Sequence, residues 1–198
     1  MTALCVFCSS SRDIDPSHLQ LAGNLGRLIG ERGWSLVSGG GAISMMGEVA
    51  RAARASGART IGVIPMALTD VEITDHDADE LIVTGDMRTR KAMMDSRADA
   101  FLAMAGGIGT LEELMEVWVA RTLGMHDKPV VVLDPEGLYA PLRQQIEVLV
   151  DQGFLRRTSV ESLVWTTTVE AAFEAIEHGL ATRTYIAPTP DELLEDMP

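Results

Sequence analysis

Several things are scarce in this 198-residue chain. Two cysteines, Cys5 and Cys8, cannot build a disulfide framework. Their C-x-x-C spacing falls within a strand pattern, where residues three apart point to opposite faces; a redox pair belongs at a helix N-terminus. Core packing is the expected role of both. No run approaches the ~18 apolar residues that span a bilayer, and no basic segment followed by an apolar stretch opens the chain. Cationic side chains are few: 16 Lys and Arg against 29 Asp and Glu give a net charge of −13, which argues against a nucleic-acid partner. Lysine is reduced to Lys91 and Lys128. The histidines His18, His76, His126 and His178 are scattered without ligand spacing, so no metal is expected. His76 lies among Asp75, Asp77, Asp79 and Glu80, where a solvated loop is the better reading. A soluble cytoplasmic protein, free of membrane and nucleic acid, is the plain expectation.

What the chain has in plenty is alternation of short β-rich runs with helical patterns. Strands are expected at Ala3–Cys8, Ser35–Ser38, Thr60–Ile64, Leu81–Thr84, Ala100–Met104 and Pro129–Leu133, with a weaker one at Leu163–Thr166. Helices are expected at Pro16–Arg32, Met45–Ser56, Met87–Ala98, Leu111–Leu123, Leu138–Gln152 and Val169–His178. Continuously apolar strands such as Val130-Val131-Val132-Leu133 suit a parallel sheet covered on both faces. The fold class is therefore α/β, a Rossmann-like doubly wound parallel sheet in a single domain, with ligands at the C-terminal ends of its strands. That domain is expected over residues 1–180, followed by an acidic tail over residues 181–198 containing Pro188 and Pro190. Ala67 to Asp79 reads as a polar connection without periodicity.

Two glycine-rich turns follow strands. The first is Ser38-Gly39-Gly40-Gly41, leading through Ala42-Ile43-Ser44 to Met45-Met46-Gly47. The second is Ala105-Gly106-Gly107-Ile108-Gly109-Thr110-Leu111-Glu112-Glu113. Glycines let backbone N–H groups approach an anion, and a helix N-terminus adds its dipole. Neither turn completes G-x-G-x-x-G, since Glu112 and Ser44 stand at the last position, and no P-loop lysine pattern occurs. A dinucleotide dehydrogenase and a P-loop NTPase are thereby disfavoured.

A carboxylate in the first turn of the following helix is unexpected for a loop that only holds phosphate. Thr110 and Glu113 also have capping-box spacing, as do Thr167 and Glu170, which follow no glycine turn. Capping explains those two residues but not the glycines upstream, so Glu113 is a candidate for chemistry. Arg90 lies on the Met87–Ala98 helix, whose apolar contacts are Met93, Met94 and Ala98; Arg90 and Arg97 are expected on one face. That face serves either solvent or the ligand crevice. Ser9-Ser10-Ser11 ends the first strand, as a ligand contact or as a capping turn. The Leu111–Leu123 helix is apolar nearly all round, which suggests a homodimer interface.

Gly106-Gly107-Ile108-Gly109-Thr110-Leu111-Glu112-Glu113 resembles the PGGxGTxxE motif of the Lonely Guy family, the cytokinin riboside 5′-monophosphate phosphoribohydrolases, long labelled "lysine decarboxylase". Gly39-Gly40-Gly41 through Met46-Gly47 resembles that family's GGGxxGLMG, Met87-Arg88-Thr89-Arg90-Lys91 its M-x-x-R-K, and Gly124 to Pro129 its G-x-H-x-K-P. The resemblance runs from Leu4 to Leu155. It implies a dimeric hydrolase without a cofactor that cleaves the N-glycosidic bond of an N6-modified AMP, releasing free base and ribose 5-phosphate. It implies Arg90 and Glu113 as the catalytic pair. Gly39, Gly40, Gly41, Arg90, Lys91, Gly106, Gly107, Ile108, Gly109 and Thr110 would bind the substrate and its phosphate. A broader AMP nucleosidase and a non-catalytic nucleotide or cofactor carrier are the alternatives. The decarboxylase label requires a Schiff-base lysine on pyridoxal phosphate, and neither lysine has such a setting. Two departures stand out: Ala105 replaces the motif's proline, freeing a fixed φ, and Ser44 replaces the fourth glycine of the first turn, which must then avoid positive φ or accept strain.

Overall fold

The computed structural model describes residues 1–69 and 73–183; the expected acidic tail lies almost wholly outside them. Seven strands form one parallel sheet: β1 (Ala3–Phe7), β2 (Ser35–Ser38), β3 (Thr60–Pro65), β4 (Glu80–Thr84), β5 (Ala100–Ala103), β6 (Val130–Leu133) and β7 (Leu163–Thr166). Their order is β4-β3-β2-β1-β5-β6-β7. The chain winds outward from β1 to β4, then returns to β1's other side with β5. β1 and β5 are in register from Leu4 opposite Ala100 to Phe7 opposite Ala103. Their carboxyl ends therefore border the point where the winding reverses, where sheets of this kind bind ligands.

The helices are α1 (Pro16–Glu31), α2 (Ser44–Ala55), α3 (Met87–Arg97), α4 (Ile108–Thr122), α5 (Ala140–Asp151), α6 (Arg157–Glu161) and α7 (Val169–Ala181). The α1 start follows its sequence signals: the Asp15 carboxylate accepts the Ser17 N–H, and Pro16 takes the first turn. Alternation along β1 sends Leu4, Val6 and Cys8 into a core covered by α1, α2 and α7. Ala3, Cys5 and Phe7 enter the other, covered by α3, α4, α5 and α6. The two cysteines thus lie in different cores, both buried and free, and burial pushes both thiols up. They serve packing, as the strand reading required.

All expected strands and helices are present. The short α6 and a 3-10 turn at Met66–Leu68 carried too few periodic residues to be read. The connection after β3 is more structured than its composition suggests. Thr74 bridges to Gly41, and buried Asp75 takes both terminal nitrogens of Arg54, at 2.7 and 3.1 Å. Among the described residues no helix is long and apolar enough to cross a membrane.

Candidate functional site

Four segments meet where β1, β2 and β5 end: the two glycine turns, α3 and the start of α4. Arg90, on α3, is 5% exposed despite lying among Arg88, Thr89 and Lys91. Its guanidinium is held from three sides. Nε donates to the Val63 carbonyl at 3.0 Å, Nη2 to the Gly39 carbonyl at 3.3 Å, and Nη1 to Oε1 of Glu113 at 3.0 Å. The pair with Glu113 is an ion pair whose side chains are 6% and 11% exposed. Arg97, two turns further along α3, goes instead to Glu80 at the surface, so of the two arginines only Arg90 reaches the crevice.

The first turn makes room for Arg90. A Cβ at Gly39 would overlap Nη2 and lie 3.2 Å from Cζ. All three glycines of this turn are buried. The Gly40 N–H donates to Oγ of Ser38 at 3.4 Å, and the Gly41 N–H points to Sδ of Met46 at 3.2 Å. These N–H groups are engaged inside the protein, and the turn's visible task is to seat the arginine. Ser44 accepts the strain: its φ is +55°, and its buried hydroxyl finds no partner among the described residues.

The second turn is open. Gly107, Ile108 and Gly109 are exposed, Ile108 at 88%. The helix begins three residues earlier than its composition suggests, with Gly107 as N-cap and Thr110 as third helical residue. This overturns the capping-box reading of Thr110 and Glu113. It also moves Glu112 and Glu113 from the first turn to the second. The Thr167–Glu170 comparison shifts likewise, because Thr168 caps α7 by accepting the Ala171 N–H at 3.1 Å. The buried Thr110 side chain instead folds over Gly106, where any Cβ would overlap it. The N–H groups of Ile108, Gly109 and Thr110 belong to the first turn, which has no intrahelical acceptors and itself carries no acidic residue. Gly109 and Glu113, four residues apart, lie on one face with about 6 Å of helical rise between them.

Lys91 is not brought to the glycine turns. It pairs with Glu112 and Glu116 on α4, and those hydrogen bonds raise its pKa. Lys128 donates to the Asp95 carbonyl at 2.7 Å and to its Oδ1 at 2.5 Å. Both ammonium groups are thus engaged in ion pairs, the reverse of the neutral amine a Schiff base needs. His126 locks the segment before β6: Nε2 lies 3.0 Å from the Val117 carbonyl and Nδ1 accepts the Lys128 N–H at 3.1 Å. Burial lowers its pKa.

Between α3 and α4, over Phe7 and Phe101, lies an open cavity of about 700 Å³. Met115, Val119, Leu123 and Met125 line it, the last three at least half exposed. Glu113 also borders it. Among the described residues no group of three or more His, Cys, Asp or Glu is placed to hold a metal.

Two contributors were not singled out from sequence. Val63 acts through its carbonyl, which no side-chain pattern can signal. Tyr139, one of two tyrosines in the chain, follows the turn that ends β6, and its hydroxyl donates to the Met104 carbonyl at 2.8 Å.

A doubly wound sheet with an open helix N-terminus at its switch point, and a buried guanidinium–carboxylate pair beside it, defines an α/β protein with a candidate anion site. The family described as "Possible lysine decarboxylase" matches residues 46–176. A cytokinin riboside 5′-monophosphate phosphoribohydrolase of Mycobacterium marinum is 47% identical over 176 residues, covering 89% of this chain and 94% of that protein. One from Arabidopsis thaliana is 40% identical over 174 residues, covering 88% and 81%. Among solved structures, the molybdenum cofactor carrier protein of Chlamydomonas reinhardtii aligns with a TM-score of 0.69 at 25% identity, covering 91% of this chain and 99% of that one. This chain belongs to the Lonely Guy family, that of the cytokinin riboside 5′-monophosphate phosphoribohydrolases.

Proposed function

We propose that this protein hydrolyses the N-glycosidic bond of an N6-modified adenosine 5′-monophosphate, releasing the free base and ribose 5-phosphate. The observation that carries this reading is the buried Arg90–Glu113 pair, one helical turn beyond an unopposed helix N-terminus. The 5′-phosphate sits on the N–H groups of Ile108, Gly109 and Thr110, where the helix dipole favours an anion. About 6 Å along the same face, Glu113 meets the ribose.

As the base leaves, positive charge develops on the sugar. A carboxylate held beside it stabilises that charge and orients the attacking water. Arg90 acts through Glu113. Its three bonds fix the carboxylate's position, so little reorganisation remains for the transition state. Phosphate binding, remote from the bond that breaks, supplies the positioning energy. Lys91 stiffens the α3–α4 contact through Glu112 and Glu116 rather than touching phosphate. The apolar rim of Met115, Val119, Leu123 and Met125 is covered by a second copy of the chain, a homodimer that light scattering would detect.

The test is incubation with isopentenyladenosine 5′-monophosphate and with AMP, resolving free bases by chromatography. Release of isopentenyladenine is expected, with turnover at least ~10²-fold lower in Glu113→Gln. The glutamine keeps an amide oxygen for Arg90, so the fold should survive. Near-normal turnover in that variant refutes the role of Glu113. Preferential release of adenine makes the protein a general AMP nucleosidase, and binding without release makes it a carrier.

A further inference from the structure

The passage from β5 into the second glycine turn consists of Met104, Ala105 and Gly106, which have no regular structure. Where the related motif has proline, Ala105 leaves the backbone free to rotate. The turn is nonetheless held on both sides of that residue. The Ala105 carbonyl accepts the Ser9 N–H at 3.1 Å, from the end of β1. The Met104 carbonyl accepts the hydroxyl of Tyr139 at 2.8 Å. The hydroxyl thus grips the main chain immediately before Ala105, while Ser9 holds the carbonyl of Ala105 itself.

Tyr139 is itself well fixed. It is 5% exposed, its N–H donates to Oδ2 of Asp134 at 3.0 Å, and its ring meets Trp165 edge-on at 6.3 Å. Asp134 also accepts the Leu138 N–H at 2.8 Å, tying the whole β6–α5 junction to one carboxylate. Burial pushes the phenol up to about 12, so it stays protonated across the neutral range. A tyrosine filling the core would need one partner for its hydroxyl. This one takes as its partner the main chain of the turn itself, one residue before Ala105.

We propose that Tyr139 is a positioning residue for the phosphate-binding turn, supplying through its hydroxyl the rigidity that a proline at position 105 would otherwise give. This rests on reading the Gly106–Thr110 turn as the 5′-phosphate site. Removing the hydroxyl loosens the turn and weakens phosphate binding. It leaves Glu113 and Arg90 untouched, because neither contacts Tyr139 in the bonds that hold the pair.

The experiment compares the whole chain with Tyr139→Phe. It reads KM and kcat for isopentenyladenosine 5′-monophosphate, and the Kd of ribose 5-phosphate by calorimetry. We expect KM and Kd to rise roughly fivefold to tenfold, with kcat changed less than about twofold. Adding Ala105→Pro to Tyr139→Phe should recover most of the lost affinity, a rescue that a purely packing role would not allow. Should Tyr139→Phe fail to fold, Asp134→Ala reads the same effect through the junction that carries the ring. Unchanged KM and Kd in the folded variant, or a fall in kcat alone, overturn the proposal. A wild type that binds ribose 5-phosphate but releases no base defeats the hydrolase reading and leaves the binding comparison valid. A wild type that does not bind ribose 5-phosphate defeats the proposal itself.

Discussion

Gly39→Ala is the sharpest probe of how the backbone sets the chemistry. Gly39 is not among the positive-φ residues, so alanine costs nothing in backbone conformation there. The effect is steric and falls chiefly on Arg90, since Met46 Cε, 3.2 Å away, is the free end of a flexible side chain and can give by a few tenths of an ångström. The new methyl would overlap Nη2 and lie 3.2 Å from Cζ, whereas carbon contacts settle near ~3.5–4 Å. The guanidinium must therefore retreat by about 1 Å or more, and it cannot do so while keeping its bonds to Gly39 and Glu113. Hydrogen bonds involving a charged group contribute about 1.5–3 kcal/mol each, so losing both bounds the cost near 3–6 kcal/mol, and partial relaxation brings it to about 2–4. A displacement of ~1 Å at a positioned group lowers turnover by about 10²-fold. The assay is base release at saturating nucleotide, alongside a thermal melt. The double variant Gly39→Ala/Arg90→Ala should lose little more than Arg90→Ala alone, since the methyl then has only the flexible end of Met46 to displace. Turnover within about threefold of wild type in Gly39→Ala would refute the claim that Arg90 must hold this pose.

Ser44→Gly should raise stability. It relieves about 1–2 kcal/mol of left-handed strain and about 1 kcal/mol from a buried hydroxyl that has no partner among the described residues, against about 0.5–1 kcal/mol of added unfolded-state entropy. The net gain of about 1–2 kcal/mol is a rise of roughly 2–8 °C in Tm, and an unchanged or lower Tm contradicts it. Burial holds His126 below its ordinary 6.5, so the folded protein keeps it neutral while unfolded chains take up the proton first. Stability is therefore full above about pH 6.5 and declines as pH falls below it. Urea midpoints between about pH 7 and pH 5.5 should fall less steeply in His126→Asn; equal slopes would clear His126 of the effect.

The strands were readable because each is a short apolar run between turn residues, and the parallel sheet followed from their alternation with helices. Boundaries failed where glycine misled. Gly109 lies inside α4, yet its low helix propensity moved the expected start to Leu111. Propensity says little at a helix N-terminus, where the loop before it fixes the first turn. The burial of Arg90 was invisible for another reason. Its neighbours are polar, and its partners are carbonyls 27 and 51 residues away. Periodicity on α3 can find a face, but it cannot find a carbonyl on another strand. Thr110 shows the converse error, in which a local pattern had a ready local meaning that the fold did not adopt.

The same fold is found in a molybdenum cofactor carrier, so the sheet and its switch point do not by themselves separate carriage from hydrolysis. The energetics of the pair do bear on it. Holding phosphate needs an open helix N-terminus and nothing more, and the second glycine turn provides one. A buried ion pair adds no binding energy for an anion, and its carboxylate opposes one. Desolvating Arg90 and Glu113 costs several kcal/mol per ion before their attraction and the two carbonyl bonds offset it. A hydrophobic pair of similar volume would stabilise the fold at least as well. What the ion pair supplies that a hydrophobic one cannot is a fixed negative charge about 6 Å along α4 from its open N-terminus. That charge has a use only when positive charge appears opposite it, as it does when a base leaves its sugar. The cost of the pair, set beside its uselessness for carriage, weighs toward bond cleavage as the task of this site.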